Sequence, residues 1–177
     1  MGQKNGSGKQ DFWGKIMNYR LLYFFLGKLC YTCAASFCLP FLLGIFLSED
    51  SVYAFLQAIV TSMCLGFVFS RFGNTEDAGI TCREGVAIAG FGWFVIIFLG
   101  SLPYVFAGIL DPVSAFFESV SGFTTTGATA IAQIEVLPRS LLLWRSLTHW
   151  IGGIGIIVVF IAILPQVASG SVHMFNA

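Results

Sequence analysis

The amino-acid sequence predicts an all-α integral membrane protein with four transmembrane helices and a shorter, re-entrant half-helix that is followed by an extended strand. Composition is the first observation behind this fold class: 56% of the 177 residues are hydrophobic and 10% are charged, whereas soluble domains carry about 25% charged residues. The second observation is that four stretches are mostly apolar over the length of about 20 residues that a helix needs to cross a bilayer. The third is a threonine-rich segment between the last two stretches, which is too polar to be a further span.

The four apolar stretches cover residues 21–47, 52–70, 86–110 and 141–164. We expect the first two, joined by the acidic turn "SED", to form a transmembrane helical hairpin over residues 21–70. Cys30 and Cys33 form a CxxC inside the first stretch, and the absence of a second cysteine pair or a neighbouring histidine favours packing over metal binding. The nine basic and nine acidic residues balance, and no basic stripe indicates a nucleic-acid partner.

Basic residues predict that both termini are cytoplasmic. Four lysines and arginines lie in the N-terminal segment 1–20, and cytoplasmic flanks of membrane helices are enriched in these residues. The connection 71–85 carries Arg71 and Arg83 and is also predicted to be cytoplasmic, whereas the acidic turn lies outside. Four crossings then return the polar tail 166–177 to the cytoplasm.

The segment 111–138 starts and ends on the predicted outer side. Asp111 is a suitable N-cap, and Pro112 suits the first turn of a helix. Apolar residues then recur at helical spacing, which predicts a half-helix over residues 113–123. At 1.5 Å per residue this helix is only about 16 Å long, about half a bilayer, so it cannot span.

The half-helix runs into the stretch "SGFTTTGATA", whose residues 124–129 are poor both as a helix and as a lipid-facing surface. Irregular backbone persists at membrane depth only where it is buried in protein or lines a water-filled cavity. Backbone carbonyls that face such a cavity can replace the hydration shell of a cation, and Gly127 tolerates the backbone angles this requires. A flexible extracellular loop is the alternative interpretation.

Two quoted stretches, "FFESVSGFTTTGATAI" and "LPRSLLLWRSLTHWIGGIGIIVVFIAILPQ", resemble the first pore repeat of the Trk/Ktr/HKT superfamily, and more narrowly that of TrkH-type potassium uptake subunits of bacteria. The resemblance implies a helix–pore loop–helix repeat over residues 86–165, with a pore half-helix at 113–123 and a selectivity filter at 124–129. It places four residues on one of four filter strands whose backbone carbonyls coordinate potassium: Thr124, Thr125, Thr126 and Gly127. Glycine at position 127 favours potassium over sodium in this superfamily.

The same resemblance implies potassium uptake across the bacterial cytoplasmic (inner) membrane. Potassium is then the transported substrate, and no cofactor is expected in this chain. The implied partners are the lipid bilayer, the remaining pore repeats on the same or another chain, a cytosolic nucleotide-binding regulatory subunit and, for the complete protein, a second copy in a homodimer. Because the family's proteins carry four repeats and this sequence carries one, we expect the tail 166–177 to be truncated.

Two other classes of function stay open at the level of sequence. The chain's length favours a non-conducting truncated fragment or an accessory membrane subunit. A membrane enzyme is disfavoured, because no paired carboxylates, metal-ligand cluster, GxSxG or phosphate-binding loop occurs.

Arg145 lies within an apolar stretch, where charge is costly and is usually paired. Counting from Pro138, it lies about 10 Å along the last helix, so Glu118 on the half-helix is the acid nearest in depth. We therefore predict an Arg145–Glu118 pair that fixes the half-helix against this helix. Glu135 is the second choice of partner, and extension of Arg145 to the outer headgroups is the alternative.

Three glycines lie in "WIGGIGI" on the same predicted helix: Gly152, Gly153 and Gly155. Small residues let the backbones of membrane helices approach closely. We predict that these glycines serve helix packing, with a hinge as the alternative.

Overall fold

The computed structural model describes residues 19–73 and 82–172, and describes side chains within residues 19–73 and 84–158. In these ranges five α-helices follow one another with one short 3-10 helix before the last: α1 Tyr19–Leu47, α2 Val52–Phe72, α3 Cys82–Phe106, α4 Pro112–Phe123, the 3-10 helix Ile134–Val136 and α5 Arg139–Val172. No β-strand occurs in the described ranges. The predicted all-α class is confirmed.

Four of the helices are long and apolar enough to cross a membrane, namely α1, α2, α3 and α5. The fourth helix in order, α4, has 12 residues and is about 18 Å long at 1.5 Å per residue. The chain is therefore a multi-pass helical membrane protein in which one short helix lies between two spanning ones.

Helix α3 ends earlier than the predicted span 86–110. The amide of Gly108 donates to the carbonyl of Val105 at 3.0 Å and the amide of Ile109 to that of Tyr104 at 3.2 Å. Gly108 has φ 66°, so these bonds form the glycine-terminated cap that closes many helices. The apolar residues after Gly108 belong to a turn, which hydropathy alone does not distinguish from the end of a span.

Helices extend into the predicted loop 71–85 and into the predicted tail 166–177, because they continue beyond the apolar stretches that hydropathy detects. Helix α2 extends to Phe72 and α3 begins at Cys82, so helix occupies both ends of the predicted loop 71–85. Helix α5 runs on to Val172, past the predicted start of the tail at 166. Residues 74–81 of that loop, the N-terminal segment before Tyr19 and the last five residues lie outside the described ranges.

The core is centred on Trp144 of α5, whose side chain is fully buried. Its ring centroid lies 4.5 Å from that of Phe37 of α1 and 6.3 Å from that of Phe123 at the end of α4. Its indole nitrogen donates to the carbonyl of Gly100 on α3 at 2.9 Å. One side chain thus joins four helices, and its polar atom is satisfied, as burial requires.

Candidate functional site

Helix α4 begins with the cap that the sequence predicts. The carboxylate of Asp111 accepts hydrogen bonds from the amides of Val113 and Ser114, both at 3.1 Å. Pro112 occupies the first turn, where its missing amide hydrogen is not needed. The predicted cap is confirmed, and the helix starts at Pro112, one residue before the predicted bound.

The far end of α4 lies deep between α3 and α5. A Cβ atom added to Gly152 would fall onto the carbonyl of Phe123, and Gly152 lies about 20 Å along α5 from its first residue. On the other side, the hydroxyl of Ser119 donates to the carbonyl of Ile97 at 2.7 Å, about 14 Å along α3 from Phe106. Both helices therefore contact the end of α4 well away from the ends at which the connecting turns lie.

Residues 124–130, which we call the threonine segment, fold back from this end in an irregular conformation. Three successive amides, those of Thr124, Thr125 and Thr126, donate to the last carbonyls of α4 at 2.9 to 3.0 Å. Thr125 has φ 57° and Gly127 has φ 79°, the left-handed region that favours glycine and is strained for threonine. The predicted filter strand thus begins with a turn at Thr124 and Thr125, and residues 126–130 are irregular and form no β-strand.

The carbonyl oxygens of residues 124–127 are left available. Among the hydrogen bonds of the described residues, none is accepted by these four oxygens, whereas the next carbonyl, that of Ala128, accepts one from Ser121. Residues 124–130 are all exposed. The threonine amides are satisfied by α4 while the carbonyls remain unused, so the segment presents acceptors to its surroundings.

Glu118 connects α4, α5 and the threonine segment. Its Oε1 accepts from Nε of Arg145 at 2.7 Å. Its Oε2 accepts from the hydroxyl of Thr129 and the amide of Ala130, both at 2.9 Å. Glu118 is 2% exposed, and polar oxygens so deeply buried need these hydrogen-bond partners.

The structure therefore brings the two residues predicted to pair into contact. Glu135, the second choice of partner, lies in the 3-10 helix Ile134–Val136 and is exposed. The two bonds to Oε2 were not foreseen from the sequence. Thr129 and Ala130 lie 11 and 12 residues from Glu118, and no periodicity relates a helix to an irregular segment.

The three glycines of α5 differ in what they contact. Gly152 is in closest approach, against the backbone of Phe123, whereas a Cβ at Gly153 would meet only the Thr125 methyl at 3.8 Å. A Cβ at Gly155 would lie 3.4 Å from the ring of Trp93 on α3. Gly152 thus allows α5 to lie on the point where α4 passes into the threonine segment.

Glu49, in the turn between α1 and α2, makes contacts that the sequence did not predict. Its carboxylate accepts from the amides of Arg139 and Ser140 at 2.7 and 3.1 Å and from the Ser140 hydroxyl at 2.6 Å. Partial burial raises the pKa of this carboxyl, but the hydrogen bonds from Ser140, Arg139 and Ser51 outweigh it, so the pKa lies below its ordinary value. One signal was available, because α5 follows Pro138, which has no side-chain acceptor to cap it.

These features define a class: a multi-pass helical membrane protein in which two spanning helices enclose a short helix and an irregular segment with free carbonyls. The sequence model of the TrkH family, described as a cation transport protein, matches residues 51–177. The chain belongs to this family, which is a family of transporters and not of enzymes.

Named relatives agree with the family match. The chain is 32% identical over 163 residues to the Trk system potassium uptake protein TrkH of Salmonella typhimurium, covering 91% of this chain and 34% of that protein. It is 31% identical to the Trk system potassium uptake protein TrkG of Escherichia coli, covering 89% and 33%. The crystal structure of the potassium transporter TrkH from Vibrio parahaemolyticus superimposes with a TM-score of 0.79 at 30% identity, covering 84% of this chain and 32% of that one. The chain thus spans about a third of the length of these relatives.

Proposed function

We propose that this chain forms part of a potassium uptake pathway and supplies one of its four filter strands. In this proposal α4 is a re-entrant pore half-helix, and the carbonyls of residues 124–127 coordinate dehydrated potassium. One observation carries the proposal: these four consecutive exposed carbonyls accept no hydrogen bond among the described residues. Unpaired carbonyls at membrane depth cost several kcal/mol each unless water or an ion satisfies them.

Depth supports the re-entrant path. The contacts of Phe123 and Ser119 lie about 20 Å along α5 and about 14 Å along α3 from the ends of those helices that adjoin the 111–138 segment. A surface loop would not reach so far between two spanning helices. In this arrangement the C-terminal end of the α4 dipole, which carries partial negative charge, faces the proposed water-filled cavity beside residues 124–127. It therefore favours a cation there.

The family supports potassium as the ion. The relatives are named as potassium uptake proteins, and the sequence carries glycine at position 127, the potassium-favouring residue of the resemblance. Gly127 has φ 79°, so its carbonyl direction depends on a backbone conformation that other residues rarely adopt.

The membrane location and the partners that we propose follow from the same resemblance. The chain lies in the bacterial cytoplasmic membrane with both termini inside, as the basic flanks favour. Three further filter strands, on the same or another chain, complete the pore. The complete protein is a homodimer that binds a cytosolic nucleotide-binding regulatory subunit.

The test is Gly127→Ser in a complete transporter that contains this repeat. Because serine disfavours a positive φ, the carbonyls of one strand in four should tilt, and the ratio of potassium to sodium uptake should fall without reaching one. Gly108→Ser is the matched control, since Gly108 also has a positive φ (66°) and open space around it, but lies in the turn after α3. An unchanged ratio in Gly127→Ser, at equal protein levels in the membrane, would contradict the filter role.

A further inference from the structure

Helix α5 begins without a capping side chain of its own. The first amides of a helix have no intrahelical acceptor, and the residue before Arg139 is a proline. The missing acceptor comes from Glu49, 90 residues earlier, which binds the amides of both Arg139 and Ser140. A carboxylate at this position also interacts favourably with the positive end of the helix dipole.

The cap is anchored in the hairpin formed by α1 and α2. The hydroxyl of Ser51 donates to Glu49 at 3.1 Å and lies 2.7 Å from the hydroxyl of Ser140. A Cβ added to Gly44 of α1 would lie 2.9 Å from Val52 and 3.6 Å from Ser140. Three helix ends therefore meet at one point, which we call the Glu49 junction: Gly44, Ser51 and Ser140, which are buried, and Glu49, which is half-buried.

The junction lies about one turn of α5 before the residues that contact the end of α4 and Glu118. One turn further along α5, Trp144 packs on Phe37 of the hairpin and on Phe123 of α4. The next residue, Arg145, binds Glu118, which in turn holds the threonine segment through its second oxygen. The hairpin thus contacts α5 at two levels, at its first residues and at Trp144.

We propose that Glu49 is a positioning residue for ion selectivity. By capping α5 from the hairpin, it holds that helix in the rotation at which Arg145 reaches Glu118, and so fixes the carbonyls of residues 124–127. The hairpin contributes no filter residue, and it acts on the filter by holding α5 in position. This inference rests on the function proposed above.

The test compares Glu49→Gln with Asp50→Asn in a complete transporter containing this repeat. Both variants remove one negative charge from the same turn, but the exposed Asp50 lies outside the junction. Glutamine keeps the size of Glu49 and loses the charged acceptor, so the potassium-to-sodium uptake ratio per molecule in the membrane should fall by about threefold, as expected for partial loss of a helix cap. Asp50→Asn should leave the ratio unchanged, and Glu49→Asp, which retains a carboxylate, should recover part of it.

Gly127→Ser, measured in parallel, separates failure of this inference from failure of the proposed function. If Gly127→Ser lowers the ratio and Glu49→Gln does not, the positioning role is wrong and the filter stands. If neither changes it, both are wrong. If only Glu49→Gln changes it, Glu49 acts on another selectivity element, and its assignment to this segment is overturned.

A structural role alone would reduce the amount of protein in the membrane without changing the ratio per molecule. If Glu49→Gln does not accumulate, Ser140→Ala replaces it, since it removes one hydroxyl donor and keeps the carboxylate and both amides. A smaller fall in the ratio is then expected. A wild-type ratio in Ser140→Ala would contradict the inference in that case.

Discussion

At the scale of single residues, the two carboxylate oxygens of Glu118 bind different parts of the chain. One oxygen binds Arg145, and the other binds Thr129 and the amide of Ala130. The depth of the two charged residues could be predicted from helix geometry, because both lie on helices of known rise. The contact of Glu118 with Thr129 and Ala130 could not be predicted, since it depends on how an irregular segment folds back. It follows that exchanging the two charges would place an arginine at position 118, which cannot accept the bond from Ala130.

A double-mutant cycle with glutamine tests the pair more cleanly than an exchange of charges. Glu118→Gln and Arg145→Gln should each destabilise a complete transporter containing this repeat by about 2–3 kcal/mol, below the range for a fully buried pair, since the Arg145 side chain is 21% exposed. The double variant should lose clearly less than the sum. Thermal unfolding in detergent measures this, with the exposed Arg139→Gln as control. Additive losses would show that the two residues do not stabilise one another.

Glu49 predicts a defined dependence on pH. Its pKa in the folded protein is lowered, because the hydrogen bonds to its carboxylate outweigh the effect of burial. Its contribution to stability is therefore fully present above the ordinary value of 4.5 and is lost as the pH falls through the lowered folded value. At neutral pH, Glu49→Gln should be less stable than the wild type by about 1 kcal/mol, and this difference should disappear in stronger acid. A difference that stays constant from neutral pH to about pH 3 would contradict a capping role for the ionised carboxylate.

At the scale of the elements, hydropathy and the N-cap at Asp111 predicted which segments are helical. The end of α3 was misplaced, because the apolar residues after Gly108 satisfy hydropathy while the glycine cap ends the helix. The Glu49 junction was missed because its members come from three elements, and its bond between Glu49 and Ser140 joins residues 91 apart. The only trace in the sequence is a helix start without its own cap. The glycines of α5 predicted that another backbone would approach this helix closely. They did not predict that it would be the backbone of Phe123, at the end of α4.

Gly152→Ala tests that approach. An added methyl group would overlap the carbonyl of Phe123, which is backbone and cannot turn aside, so overpacking of about 1–3 kcal/mol is expected. Gly153→Ala is the matched control on the adjacent residue, where the nearest atom is a methyl group at 3.8 Å. Thermal unfolding should separate the two variants. Equal stability of both would show that α5 does not lie on the end of α4.

At the scale of the whole molecule, one filter strand is insufficient for a potassium site. Carbonyls from several sides are needed to offset the loss of the hydration shell, and this sequence carries one such segment. The large exposed apolar residues of the spanning helices form surfaces that can contact lipid and further repeats. The proposed function includes three further filter strands that differ from this one, so four copies of this repeat are not expected to replace them.

The polypeptide 1–177, expressed by itself, should therefore not conduct. In cells that lack their own potassium uptake, it should fail to restore growth when external potassium is lowered. A complete transporter containing the repeat is the positive control. Growth that is restored, and that is abolished by Gly127→Asp, would show instead that copies of this chain assemble into a working pore.

The proposed filter is tested most directly by locating a potassium substitute in crystals of a complete transporter containing this repeat. Rubidium or thallium scatters anomalously and marks its own position. If residues 124–127 form a filter strand, anomalous density lies on the side of the segment to which their carbonyls point, and it is weaker in Gly127→Ser crystals. Density elsewhere in the protein, with none beside these four carbonyls, would show that they do not bind the ion.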